Sequence, residues 1–382
     1  MRMFKKILKF INAKKRYLPP KKTKILFFDN IFFKEFSKFF DSRVISKIDI
    51  RVNELNVYVI IYTVFFKLEK LTFHNYLKNY ISLTQCKIVI TGNDNYIFFY
   101  SLKNFFPEKK FISIQNGFRN FTFFQKLKKQ KNLKADYIFA FNKSFCDLFR
   151  KFISTKTIVS GSFRNNTIKI NKKKKMKSFL FISNGNPAAS PSMLHGRFKF
   201  NVKNFFSSDL KLLNYTQEYC ERNKIILKIC LKFYGEKGNR ELNYFKDNIR
   251  NRNVKFLIKT KIKDVSDIYQ LADKNLLTIS THSTFGLENL SRLNRTAIFN
   301  NKIKPSYNVM NLFWNYKLPK NGDFWSDENF NKKKVNSILN NLKNMRSVSW
   351  ERKVKSLANK FMIYDYQNKI IFNKINELLK KE

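Results

Sequence analysis

Along the chain, short apolar runs alternate with longer stretches in which apolar positions recur every three or four residues. In the first half the strand-like runs are "KILFF" (24–28), "VYVIIYTVFF" (57–66), "KIVITG" (87–92), "FISIQNG" (111–117), "YIFAF" (137–141) and "TIVSGSF" (157–163). Between them "NYIFFYSLKNFF" (95–106) and "KSFCDLFRKFI" (143–153) carry helical spacing. Strands rich in Ile, Val and Phe, apolar on both faces and separated by helices, predict a parallel sheet covered on each side. A lysine-heavy bridge, "RNNTIKINKKKKMKS" (164–178), interrupts the pattern and reads as a domain boundary. The alternation restarts with "FLFISNG" (179–185), "IILKICLKF" (225–233), "VKFLIKT" (254–260), "LLTIS" (276–280) and "TAIFN" (296–300). Helices fit at 208–222, 240–250, 264–273 and 285–293, and 332–382 reads as terminal helices. The expected architecture is α/β, with two Rossmann-like, doubly wound parallel-sheet domains facing an interdomain cleft. Residues 1–165 form the first domain, 166–178 the linker, 179–345 the second domain and 346–382 the C-terminal helices.

Composition changes this picture little. The 382 residues suit two domains, and 43% hydrophobic with 16% aromatic content fills two cores. The net charge of +49 points to nucleic acid or an anionic membrane surface. Yet Lys, Asn, Ile and Phe are favoured everywhere, with only 9 Gly and 7 Pro, as an A/T-rich genome would produce. Lysines fall on every predicted helix face, so the charge reads as mostly compositional, with some membrane-surface attraction added.

Cys86, Cys146, Cys220 and Cys230 lack paired spacing, which argues against a zinc site or a disulfide framework and for buried thiols of a reducing cytoplasm. No segment reaches the eighteen or so apolar residues of a membrane span. The amino terminus, "MRMFKKILKFINAKKRY", is no secretory signal, because lysines break its apolar stretch. It fits a basic amphipathic helix with Met3, Phe4, Ile7, Leu8 and Ile11 on one face, able to lie on an anionic leaflet or to pack on its own domain.

In open α/β sheets ligands bind at the carboxyl ends of the strands, so those loops are the candidates. The strand 276–280 runs into Ser280, Thr281, His282, Ser283 and Thr284, and a helix is expected from about Phe285. Free N–H groups at its start, with hydroxyls beside them, suit a phosphate. Gly286 would let that phosphate or a sugar approach the backbone. Glu288, expected in the first turn, either accepts from a ribose diol or simply complements the helix dipole. Asp94, after "ITG", and Asp29, in "FFDN", end strands where a carboxylate could act as general base; each also suits a cap or turn. "SIQNGFRN" (113–120) offers Gln115, Asn116 and Arg119 to an acceptor, although Asn-Gly marks a turn in any protein and Arg119 is expected to face solvent. Lys232, Lys237 and Arg240 follow another strand and could neutralise a departing phosphate, a weak signal in so lysine-rich a chain. No D-x-D motif indicates a metal.

The hydroxyl-rich turn and helix start "STHSTFGLENLSRLNRTAIFN", followed by "NGDFW" (321–325), resembles the donor-nucleotide turn of GT-B glycosyltransferases. More narrowly it resembles proteins of surface carbohydrate (O-antigen or capsule) biosynthesis, as do "ISIQNGFR" (112–119) and "SGSFRNN". The resemblance covers most of the chain through short motifs. It implies a metal-independent glycosyltransferase, of hexosyl or sialyl/Kdo-like type, acting in lipopolysaccharide or capsule assembly. The donor is a nucleotide-sugar and the acceptor a lipid-linked or growing glycan, with no cofactor beyond that substrate. "FISNGNPAASPSMLHGRF" (181–198) then occupies the place of the flexible loop that reaches the scissile bond. Ser183, Asn184, Gly185 and Asn186 become phosphate or sugar contacts, and His195 either steadies the leaving phosphate, acts as acid/base or is an inert surface histidine. The expected location is cytoplasmic, peripheral to the inner face of the membrane. A CDP-glycerol-type phosphotransferase or a nucleotide-sugar epimerase would keep the same fold. A basic nucleic-acid-binding protein is the remoter alternative, without a supporting motif.

Overall fold

In the computed structural model, residues 12–48, 54–119, 121–171, 176–185, 192–195, 198–233, 235–249, 254–257, 265–281, 283–299, 322–326 and 330–380 are described. The chain divides into two compact units, residues 1–116, 126–167 and 367–382 in the first, and 117–125 and 168–366 in the second.

The first unit holds β1 (Lys14–Arg16), β2 (Ile25–Phe27), β3 (Ile45–Lys47), β4 (Glu54–Asn56), β5 (Ile88–Thr91), β6 (Lys110–Ile114), β7 (Lys134–Ala140) and β8 (Ser154–Val159). Six of these form a parallel sheet in the order β3-β2-β5-β6-β7-β8, while β1 pairs with β4. Its central strands are buried on both faces, so apolar runs rather than alternation mark them. On one face Phe36 stacks on Phe163 with centroids 4.9 Å apart, and Ile371, Phe372 and Ile375 complete the core. Those last three come from the helix Lys369–Lys380, so the tail expected as a single C-terminal block divides. Helices Lys332–Asn344 and Ser347–Phe361 belong to the second unit, and the final helix returns to the first. The return is a sharp turn at Gln367 and Asn368, both at positive φ, where Asn368 Nδ2 donates to Phe163 O at 3.0 Å.

The run 57–66 is not a strand. Val57–Ile61 is an α-helix and Tyr62–Phe66 continues it as a π-helical turn. Asn56 Oδ1 accepts from Val59 N–H at 3.1 Å and starts the helix, and Thr63 Oγ1 bonds Val59 O at 2.7 Å within it. A run of nine apolar residues and one threonine fits strand and helix equally well, and here a polar cap starts the helix.

The second unit holds β9 (Met176–Ile182), β10 (Ser192–His195), β11 (Phe198–Asn201), β12 (Ile226–Cys230), β13 (Val254–Leu257), β14 (Asn275–Ser280), β15 (Thr296–Phe299) and β16 (Trp325–Ser326). Six of them form a parallel sheet in the order β13-β12-β9-β14-β15-β16, and β10 pairs antiparallel with β11. Helices Val202–Arg222, Gly235–Asn248, Val265–Lys274 and Thr284–Ser291 lie near their expected places. Trp350, on Ser347–Phe361, is 2% exposed and donates through Nε1 to Leu293 O at 2.9 Å. This fixes the far end of the helix Thr284–Ser291.

All four cysteines are buried. Burial pushes the Cys86 and Cys146 thiols up and Cys220 to about 12. An unfolded thiol ionises near pH 8.5, so above that pH the unfolded chain sheds protons that the native chain keeps. Stability contributed by these three thiols is therefore complete below about pH 8.5 and declines above it, by up to about 1.4 kcal/mol per pH unit per thiol. Native chain at pH 8 is expected to leave a thiol reagent unreacted over minutes and to react at all four cysteines in denaturant. Rapid native labelling would contradict the buried placement.

Candidate functional site

Ligands of open parallel sheets bind where the strand order reverses, because two neighbouring loops there turn opposite ways and leave a crevice. In the second unit the chain begins at β9, builds outward through β12 to β13, then crosses to β14 on the other side of β9. The reversal lies between β9 and β14, where 183–185 and 281–284 emerge.

These loops are tied together. Asn184 Nδ2 donates to Asp209 Oδ2 at 2.8 Å and to Thr281 Oγ1, joining the exits of β9 and β14. Lys232 Nζ, at the exit of β12, donates to Asn184 O at 2.9 Å. Glu241 is fully buried and accepts from Ser183 Oγ, from Lys232 N–H at 3.0 Å and from Phe233 N–H at 3.0 Å. Gly185 N–H in turn donates to Ser183 Oγ at 3.0 Å. Gly185 has φ +122°, and a Cβ there would meet the Phe233 ring at 2.8 Å, so only glycine fits. Glu241 escaped the sequence reading: one glutamate in the polar helix "GEKGNRELNYFKDN" gives no sign that it points inward.

The helix begins at Thr284, one residue earlier than expected, with Ser283 as N-cap accepting from Phe285 N–H at 3.3 Å. Glu288 is therefore past the first turn, which holds no acidic residue. Its side chain lies inside, 6% exposed, and Oε2 accepts from Tyr269 O–H at 2.8 Å. Gly286 answers to packing: a Cβ would stand 2.4 Å from Ser280 Oγ, on the strand beneath. Its missing side chain brings helix and strand together on the inner side. Thr284 Oγ1 accepts from Phe118 N–H at 3.4 Å, so the segment 117–125 leans on the helix start within the same unit. Arg119, on that segment, is 8% exposed rather than solvent-facing, and its guanidinium lies 5.8 Å from the centroid of the Phe123 ring.

The reversal of the first sheet falls between β2 and β5, and it brings the two candidate aspartates close in the fold. Asp29 is 3% exposed, accepting from Ile31 N–H at 2.7 Å and Thr91 O–H at 2.6 Å. Asp94 is fully buried and accepts from Asn116 N–H at 3.1 Å. Both carboxylates hold turns through these bonds. Gln115 is likewise fully buried, with Oε1 accepting from Phe141 N–H at 2.9 Å. Asn116 is half-buried beside it. Arg240 faces outward, paired with Glu236 one helical turn away. His195 lies in β10, and His282, Asn186 and 187–191 lie outside the described residues. Among the described residues no three His, Cys, Asp or Glu side chains gather as metal ligands do.

Two Rossmann-like units of parallel sheet, each with its strand order reversing beside polar loops, define a GT-B-like α/β protein. The chain belongs to the family described as "putative O-antigen biosynthesis protein", which it matches over residues 112–382. Membership places it in surface-polysaccharide biosynthesis. It is similar in fold to the "putative UDP-N-acetylglucosamine 2-epimerase" of Listeria monocytogenes, with TM-score 0.53 and 10% identity over 94% of this chain and 98% of that one. It is similar also to the UDP-GlcNAc 2-epimerase of Neisseria meningitidis, with TM-score 0.48 and 11% identity over 93% and 100% of the two chains. The wall teichoic acid polymerase TagF shares 11% identity over 97% and 92%, with TM-score 0.47. At such identities the likeness is one of fold. No curated protein matches the chain by sequence.

Proposed function

We propose that the chain is a glycosyltransferase moving a sugar from a nucleotide-sugar donor to a lipid-linked or growing glycan of O-antigen type. The observation that carries this reading is the tied pair of loops at the β9–β14 reversal, with an eight-residue helix starting at Thr284 beside them. A helix start favours anionic oxygens. Lys232, exposed at the next strand end, adds a full positive charge. In the reaction the anomeric C–O bond to phosphate breaks with its electron pair going to the phosphate oxygen, the acceptor oxygen bonds to that carbon, and the hydroxyl proton passes to solvent water. The negative charge collects on the departing phosphate, where Lys232 and the helix start stabilise it. Ser183, Asn184, Gly185, Ser283 and Thr284 shape the donor pocket. Glu288 supports it from inside through Tyr269. Asp29 and Asp94 are assigned to turns rather than to proton transfer. The work is placed in the cytoplasm, peripheral to the inner leaflet.

Thermal-shift screening against CMP, CDP, UDP, GDP and dTDP tests this. One nucleotide is expected to raise the melting temperature, and Lys232→Met to weaken it about tenfold with the unliganded melting temperature unchanged. Incubation with the matching nucleotide-sugar and a glycan then separates the chemistries. A new glycoside supports transfer, an epimerised nucleotide-sugar overturns it in favour of an epimerase, and release of CMP from CDP-glycerol in favour of a phosphotransferase.

A further inference from the structure

Between Tyr58 and Phe73 the first unit turns large apolar side chains outward. Phe65 is 71% exposed, Phe66 73% and Leu68 86%, with Ile61, Leu71 and Phe73 exposed as well. These residues are not a core left uncovered by loose folding. On the opposite side of the same turn Val59 and Thr63 are fully buried, Asn79 Nδ2 donates to Thr63 Oγ1 at 3.1 Å, and Glu69 N–H donates to Thr63 O at 3.0 Å. Tyr58, Tyr62 and Phe66 stack in sequence along the helix, centroids 6.4 and 5.9 Å apart. Leu68 holds φ +50°, a conformation that costs an L-residue energy, and returns no burial for it. A segment so firmly anchored holds its apolar face in place.

Charge identifies what that face meets. Lys67 and Lys70 are exposed among the apolar residues. The acid between them, Glu69, is turned back and neutralised by Lys78, with Asn79 Nδ2 donating to its other oxygen at 3.1 Å. Cations interleaved with Phe and Leu at a protruding turn match the two layers of a bilayer interface, anionic headgroups above and acyl chains beneath. We propose that residues 58–73 form a docking surface for an anionic phospholipid membrane, with Phe65, Phe66 and Leu68 entering the acyl boundary and Lys67 and Lys70 holding the headgroups. The surface lies wholly in the first unit and does not rest on the reading of the second.

The test uses the full chain and vesicles of phosphatidylcholine with phosphatidylglycerol in about a 2:1 ratio. Wild type is expected to float with them. Phe65→Ser, Phe66→Ser and Leu68→Ser together lower the partition coefficient on the order of a hundredfold. Lys67→Glu with Lys70→Glu lowers it about tenfold or more. The substituted side chains are exposed, so the melting temperature stays unchanged. A Phe66→Trp variant reports the position directly, its emission moving to the blue and being quenched by lipids brominated along the acyl chain. Flotation undiminished in the triple serine variant, or unmoved Trp emission on vesicles that carry the protein, overturns the proposal. So does failure of wild type to float, or a dimer in sedimentation velocity that the serine variant dissolves without any vesicle binding. Nucleotide shifts measured on the same variants stay at wild-type values, so failure here and failure of the transferase reading are told apart.

Discussion

Replacing Arg292 with alanine is expected to cost about 3–5 kcal/mol of stability, as loss of one partner of a buried ion pair does. The Arg292 and Asp273 side chains are 0% and 1% exposed. Arg292 Nε donates to Asp273 Oδ1 at 2.9 Å, while its outer nitrogens donate to Ile168 O at 2.9 Å and Lys169 O at 3.1 Å. Asp273 accepts further from Asn294 Nδ2 at 2.7 Å and Asn171 N–H at 3.0 Å. The guanidinium lies 5.5 Å from the Tyr269 ring and 5.6 Å from that of Tyr364. Alanine leaves the buried Asp273 carboxylate without its cation, removes the guanidinium bonds to Ile168 O and Lys169 O, and loosens the segment where the chain enters the second unit. Lysine restores the charge without the planar fork, so Arg292→Lys is expected to recover only part of the loss. Urea denaturation followed by circular dichroism measures both. An alanine variant within about 0.5 kcal/mol of wild type would contradict the buried pair.

Glu241→Ala is expected to cost about 2–5 kcal/mol and to loosen the site at the same time. The Glu241 carboxylate receives the Lys232 and Phe233 N–H groups, each at 3.0 Å, together with the Ser183 hydroxyl. Its removal leaves two backbone donors without their acceptor at the end of β12 and frees Ser183 at the end of β9. The ends of β9 and β12, which border the proposed phosphate pocket, then lose their common anchor, and nucleotide affinity falls about tenfold or more. Glu241→Gln preserves volume, and its amide oxygen at the place of Oε2 still accepts from both N–H groups while the NH2 donates to the Ser183 hydroxyl, so it is expected to recover much of the loss. Amide hydrogen exchange at Lys232 and Phe233 reads the local effect. Protection equal to wild type in the alanine variant would show that other groups hold the loops.

The central strands of both sheets were legible because burial on two faces writes them as unbroken apolar runs. The same signal misread 57–66, where a cap from the adjacent Asn56 and a bond from the distant Asn79 to Thr63 hold a helix. Strands such as Lys14–Arg16 and Ile45–Lys47 were missed, being three residues long and partly polar. The tail does hold the helices Lys332–Asn344, Ser347–Phe361 and Lys369–Lys380, but helical spacing does not say which unit each helix covers. Strand ends single out 183–185, Lys232 and 281–286 as candidates because loops after parallel strands are where ligands bind. The roles within those loops were harder to read. Asp29 and Asp94 hold turns, Gly286 fits a helix onto Ser280, and the carboxylate that ties the end of β9 to that of β12 is Glu241, whose inward orientation depends on tertiary packing.

Hydrogen exchange of the intact chain with and without the nucleotide found by screening decides whether the β9 and β14 loops hold the donor. Slowed exchange is expected at 183–185, at 232–233 and in the first turn of the helix Thr284–Ser291. Binding that protects other segments while leaving these unchanged, or no nucleotide binding at all, would contradict it.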